Sequence, residues 1–303
     1  MNEEKNYSNN TERENLRRLI VKKQSVDERM YAVIRELIRP IAAIDGITAD
    51  EATSLFFSTL ELLPTEEADY PIYEKNNSVT ERTVRLTACV CFDELTGKKR
   101  KISDYFRTNI QEAGNGIIAY SKNTLSDRAY KVFAKHVTSA RVLYPSDFTA
   151  VCEAVYYEKA EYCILPLENS TDGRLSGFYN LISKYELFVC MCTDIYNAEG
   201  DGYTRFALCK KEHFPIIPHK KDTHMYGEFM ITPNDNNSVC DILFGVDYLG
   251  ARVVKADCVP AFGDSEYCMY VTLDCNESEL FRVIMYFSIE QIRYLPVGVY
   301  SIV

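Results

Sequence analysis

The chain has 303 residues, of which 47% are hydrophobic and 26% charged, and 34 basic against 44 acidic side chains leave a net charge of −10. This is an ordinary globular composition, long enough for two or three domains. Scattered Lys and Arg on an acidic chain argue against a nucleic-acid partner, and no apolar run approaches the roughly 18 residues of a membrane span.

Residues 1–10 are polar and have no signal-peptide core, so they read as disordered and the expected location is cytoplasmic. Thr11-x-x-Glu14, Ser25-x-x-Glu28 and Thr48-x-x-Glu51 are capping boxes. Between and after them, Met30, Val33, Ile34, Leu37, Ile38 and Ile41, then Ala52, Leu55, Phe56 and Leu60, recur at helical spacing. Residues 1–79 are therefore expected to be a helical N-terminal segment, closed by an acidic, proline-punctuated linker that starts at Thr65.

Residues 80–222 have another texture. β-Branched residues and cysteines over 83–92 predict a long strand, and 102–111 a helix before the break at Gly114-Asn115-Gly116. Strands follow at 116–119, 141–144, 162–165, 187–192 and 204–209. Helices are expected around Ala129–Phe133, Val151–Val155 and Leu175–Ile182. This rhythm predicts a doubly wound α/β sheet, mostly parallel. The stretch Tyr162-Cys163-Ile164-Leu165-Pro166-Leu167-Glu168-Asn169-Ser170 is its centre: an apolar strand ended by Pro166 delivers three polar side chains past its carboxyl end. In such sheets that crevice binds ligands. The alternative is a polar turn in which Ser170 or Asp172 caps the next helix.

Residues 223–303 read as βαββαβ, the ferredoxin-like arrangement. The eleven cysteines include no C-x-x-C pair. Cys89/Cys91 and Cys190/Cys192 alternate within strand-like runs, and only four histidines are available as partners, so the thiols read as structural and no metal is expected.

Four features in order carry a family resemblance. The run Ala160-Glu161-Tyr162-Cys163-Ile164-Leu165-Pro166-Leu167-Glu168-Asn169-Ser170-x-x-Gly173 resembles the prephenate dehydratase signature, and Thr204-Arg205-Phe206 looks like that family's Thr-Arg-Phe motif. Thr124 and Ser126 match the Thr and Ser of its glycine-rich first loop, although Ser121-Lys122-Asn123 stands where the glycines would be. The C-terminal unit looks like the ACT regulatory domain. The resemblance implies a periplasmic-binding-protein-like sheet followed by the ACT unit. It implies a carbon–oxygen lyase that converts prephenate to phenylpyruvate in phenylalanine biosynthesis, without cofactor or metal. Thr204 is then the catalytic residue that meets the leaving hydroxyl. Thr124, Ser126, Glu168, Asn169, Ser170, Arg205 and Phe206 bind the substrate. Asn237, Ser238, Asp257 and Pro260 match the effector loops, but Val259 replaces the effector-binding Arg. Expected partners are a prephenate-like carboxylate, an amino-acid effector and a second copy or more, as a homodimer or homotetramer. Only about thirty residues separate Ser170 from Thr204, too few for the family's second lobe. The alternative reading is therefore a catalytically impaired relative that binds a small carboxylate or amino acid.

Overall fold

A computed structural model describes residues 2–44, 47, 49–60, 74–96, 116–211, 225–232, 238–260 and 267–303. The chain divides into two compact units, Met1–Lys99 and Arg100–Val303. The expected helix at 102–111, Asn237 and the linker residues 65–73 and 213–224 lie outside the described residues.

Among the described residues the first unit holds three helices, α1 (Asn2–Ala42), α2 (Ala49–Leu60) and α3 (Glu74–Thr96). Residues 2–10, read as disordered, are helical. The Thr11 and Ser25 boxes therefore lie inside one continuous helix rather than at helix starts. The strand expected over 83–92 is part of α3. Buried Arg82, Leu86, Cys89 and Phe92 fall at helical spacing, and Phe92 meets Phe56 of α2 edge-on at 5.3 Å. Thr87 donates its hydroxyl to the Thr83 carbonyl at 2.7 Å, one turn back along the helix, so the hydroxyl is satisfied within α3. Arg35 joins the two long helices through Glu94 at 2.6 Å.

The second unit is a ten-stranded mixed sheet. Its first half runs β1 (Ile117–Ala119), α4 (Thr124–Phe133), β2 (Arg141–Leu143), α5 (Phe148–Tyr156), β3 (Tyr162–Asn169), β4 (Gly173–Arg174), α6 (Ser176–Lys184), β5 (Phe188–Tyr196) and β6 (Tyr203–Lys210). The second half is β7 (Met225–Thr232), α7 (Val239–Tyr248), β8 (Arg252–Pro260), β9 (Tyr267–Cys275), α8 (Glu277–Ile289) and β10 (Arg293–Tyr300), the predicted βαββαβ order. The strands lie in the order β2-β1-β3-β6-β5-β10-β7-β9-β8, with β4 beside β3. The sheet is less parallel than expected: β2, β1 and β3 run together, but β6 is antiparallel to both β3 and β5.

Pro166 does not end β3. On the β1 side the ladder stops at Cys163, so a residue without an N–H costs little at 166. A register shift follows between Pro166 and Glu168, and the strand continues to Asn169. One face of the sheet holds Ile118, Ile164, Phe206 and Leu208 beneath α4. The other holds Cys163, Leu165, Val189 and Ala207 together with Tyr270, Val297 and Tyr300 from the second half. Nine of the eleven cysteines are buried, and Cys240 and Cys258 are exposed. Among the described residues no cluster of His, Cys, Asp and Glu could hold a metal, and no helix is long and apolar enough to cross a membrane.

The two halves join where β5 and β10 pair in parallel at Gly298 and Val189. A Cβ at Gly298 would lie 2.6 Å from the Val189 Cβ and closer still to its carbonyl oxygen, so only glycine lets the strands approach. Gly298→Ala is expected to cost about 1–3 kcal/mol of stability by overpacking, read as a lower midpoint in urea unfolding.

Candidate functional site

The β3–β6 register sets Asn169 directly opposite Thr204, and Thr204 also pairs with Ile195 of β5. Strand alternation puts Thr204 on the same face as Phe206 and Leu208, the face covered by α4. The α4 N-terminus lies over this end of the sheet, because Arg128 donates to the Tyr196 carbonyl at 2.6 Å and Tyr196 pairs with Tyr203. Asn123 caps α4 by accepting from the Ser126 N–H at 2.9 Å. Thr124 is exposed in the first turn. The Ser126 side chain is buried, and its hydroxyl has no hydrogen-bond partner among the described residues. Phe206 is packed in the core of this face.

Asn169 is occupied by its own turn. Its Oδ1 accepts from the Thr171 and Asp172 N–H groups, and its Nδ2 donates to Asp172 at 2.9 Å. The expected cap on α6 does not form, since Leu175 occupies the N-cap position with no side-chain bond. Ser170 instead ties the loop to β6, donating its N–H to the Tyr203 carbonyl and accepting from the Tyr203 N–H through its hydroxyl.

Glu168 and Arg205 leave this group, because alternation sends both to the opposite face. Arg205 makes a bidentate pair with Asp194 at 2.7 and 2.8 Å. Glu168 accepts from Lys255 at 2.9 Å and from the Tyr203 hydroxyl at 2.8 Å. Beside them Arg174 donates to Glu228 at 2.6 Å and to Asp257 at 2.8 Å, and its guanidinium lies over the rings of Tyr179 and Tyr270. Glu228 also accepts from the Tyr179 and Tyr300 hydroxyls. Burial, then the Glu228 charge, raises the pKa of both phenols, so they stay protonated and donate.

Of these side chains, Glu168, Arg174, Tyr179, Tyr203, Arg205, Glu228, Lys255 and Tyr300 line a cavity of about 330 Å³ that also reaches Tyr226, Thr272 and Ile302. Its walls come from both halves of the unit, and neither Asn169 nor Thr204 is among them.

Of the residues matched to effector loops, Ser238 caps α7 in a reciprocal box with Asp241. Pro260 ends β8 opposite Tyr267, and Val259 packs on the apolar core. Asp257, also matched to an effector loop, has its carboxylate on Arg174 at 2.8 Å. Sequence reasoning missed Arg174, Tyr179, Tyr203, Glu228, Lys255 and Tyr300. A usable signal existed in Glu228, a lone carboxylate inside the apolar run Met225-Tyr226-Gly227-Glu228-Phe229-Met230-Ile231. Lys255 and Asp257, two residues apart on one strand, gave another.

Burial works against ionisation of Glu168, but hydrogen bonds from Lys255 and Tyr203 and the nearby Arg205 charge outweigh it and lower its pKa below the usual 4.5. A carboxyl with a depressed native pKa contributes stability above pH 4.5 that is lost as pH falls through the native value. Thermal unfolding across pH is expected to show wild type more stable than E168Q at neutral pH, with the gap closing below about pH 4.5.

Residues 118–197 match the family model described as prephenate dehydratase. Among solved structures, prephenate dehydratase from Streptococcus mutans aligns with a TM-score of 0.52 at 21% identity, over 61% of this chain and 98% of that one. GqqA, described as a novel type of quorum-quenching acylase, aligns at 0.49 and 19% identity over 62% and 96% of the two chains. Prephenate dehydratase from Arthrobacter aurescens, solved with L-Phe, aligns at 0.48 and 10% over 61% and 89%. No curated protein is significantly similar to the chain.

Proposed function

We propose that this chain, a divergent relative of the prephenate dehydratase family, acts on prephenate at the face that carries Thr204. The observation that carries this reading is the cross-strand pairing of Thr204 with Asn169, which joins two family motifs that lie 35 positions apart in sequence. The reaction is a carbon–oxygen lyase step. The ring carboxylate leaves as carbon dioxide, its bonding electrons complete the aromatic ring, and the ring hydroxyl departs as water after gaining a proton. Thr204 hydrogen-bonds the departing hydroxyl, while Thr124 and Ser126 offer hydroxyls at a helix N-terminus that favours the substrate's negative charge. An ACT-type role for the βαββαβ unit, with assembly as a homodimer, belongs to the same reading.

Removing one donor that acts on charge developing in the transition state costs about 10²–10³-fold in rate. Purified protein is expected to form phenylpyruvate from prephenate, and Thr204→Val to lose about that factor in kcat with its unfolding midpoint unchanged. Absence of turnover in wild type would reject the reading.

A second reading is favoured by the ion pairs of Arg205 with Asp194 and Glu168 with Lys255, which hold both motif charges on protein partners on the face opposite Thr204. On that reading the chain binds a small carboxylate without converting it. Titration calorimetry with prephenate then gives a saturable heat in a protein that produces no phenylpyruvate.

A further inference from the structure

The charged cavity between the two halves of the second unit lies on the sheet face opposite Thr204. Arg174, Arg205 and Lys255 supply three cations. Glu168 and Glu228 in the wall, with Asp194 and Asp257 just behind it, supply four anions. We propose that this cavity is a binding site for a small zwitterion of the α-amino-acid type, distinct both from the Thr204 face and from the Ser238 turn.

Three observations lead to that ligand class. The volume of about 330 Å³ falls at the lower end of small-molecule pockets. Donors remain in a buried setting: the Arg174 side chain is 7% exposed, and its Nη2 reaches no acceptor among the described residues while Nε and Nη1 hold Asp257 and Glu228. Arg205, 24% exposed, holds Asp194 through Nε and Nη2 and has Nη1 without an acceptor among the described residues. A ligand that brings an acceptor can meet these open edges, and a carboxylate suits two guanidinium edges.

The group as a whole carries one more negative than positive charge, so a carboxylate alone would add to that excess. A ligand that also brings an ammonium leaves the balance unchanged. Glu228 Oε2 takes a single bond, from Tyr300, and keeps a lone pair for the ammonium. The rings of Tyr226 and Tyr300, stacked at 5.9 Å, add faces that attract a cation. Such a ligand touches β4 and β6 from one half and β7, β8 and β9 from the other, so binding stabilises their junction.

The test is titration calorimetry and thermal shift on the full chain with each of the twenty L-α-amino acids, followed by the deaminated and decarboxylated analogues of the best binder. We expect one amino acid or a small related group to raise the unfolding midpoint, and each analogue to bind at least about tenfold more weakly. Lys255→Met, at the partly exposed rim, and Thr272→Val, which removes only a hydroxyl, are each expected to weaken binding by about tenfold. Two variants guard against a folding defect in either. Prephenate turnover is not a readout, so loss of the Thr204 reading leaves this result intact. No binding by any amino acid at millimolar concentration overturns the proposal. So does a deaminated analogue that binds as tightly as its parent, or an affinity that survives both variants and is lost in Ser238→Ala.

Discussion

A guanidinium removed from water must find its charge answered inside the protein, and the second unit is arranged around one that does. Arg174 reaches Glu228 of β7 and Asp257 of β8 from the two-residue strand β4, with Tyr179 and Tyr270 against its faces. Taking one partner from a buried pair costs about 3–5 kcal/mol, because the other charge is left unanswered. The gain in return is conformational: only one placement of β4 against β7 and β8 satisfies all three groups. Glu228, 1% exposed, is satisfied in turn by two tyrosine hydroxyls from α6 and β10.

These contacts require the sheet to curl. In the strand order β3 and β8 are six positions apart, about 29 Å across a flat sheet at the usual spacing. Yet Lys255 of β8 lies 2.9 Å from Glu168 of β3. Strand twist accumulates over these positions, and Gly298 permits the close approach of β5 and β10 midway along the order. The apolar side chains of both halves meet in a single cluster inside the curl. The polar cavity lies between its two ends.

Much of this architecture was legible in the sequence, because period and punctuation carry it. The βαββαβ order of the C-terminal half followed from alternation and helical spacing, and so did α4, α5 and α6. Residues 83–92 misled because β-branched residues and cysteines fit a strand, while the spacing of Arg82, Leu86, Cys89 and Phe92 carried the helical signal. Pro166 misled because a proline stops a strand only where the ladder needs its N–H. The motif residues Asn169 and Thr204 meet as their strand positions suggested. Glu168 and Arg205, each adjacent to one of them in sequence, point to the other face, since neighbouring residues of a regular strand alternate. Contacts between residues more than fifty positions apart, such as Arg174 with Glu228, leave no local pattern to read.

The cysteines give the fold a built-in clock. Burial pushes the Cys190 thiol up to about 12 and raises those of Cys192 and Cys209, so none of the three forms the thiolate that alkylating reagents attack while the sheet is closed. Cys240 and Cys258 are exposed and open to the reagent in the folded protein. Cys192 donates its N–H to the Ser301 carbonyl and accepts from the Val303 N–H, on the segment that continues β10. Once the two exposed thiols are blocked, the rate at which Cys192 takes up label therefore times the parting of β5 from the chain end, one local opening of the native state.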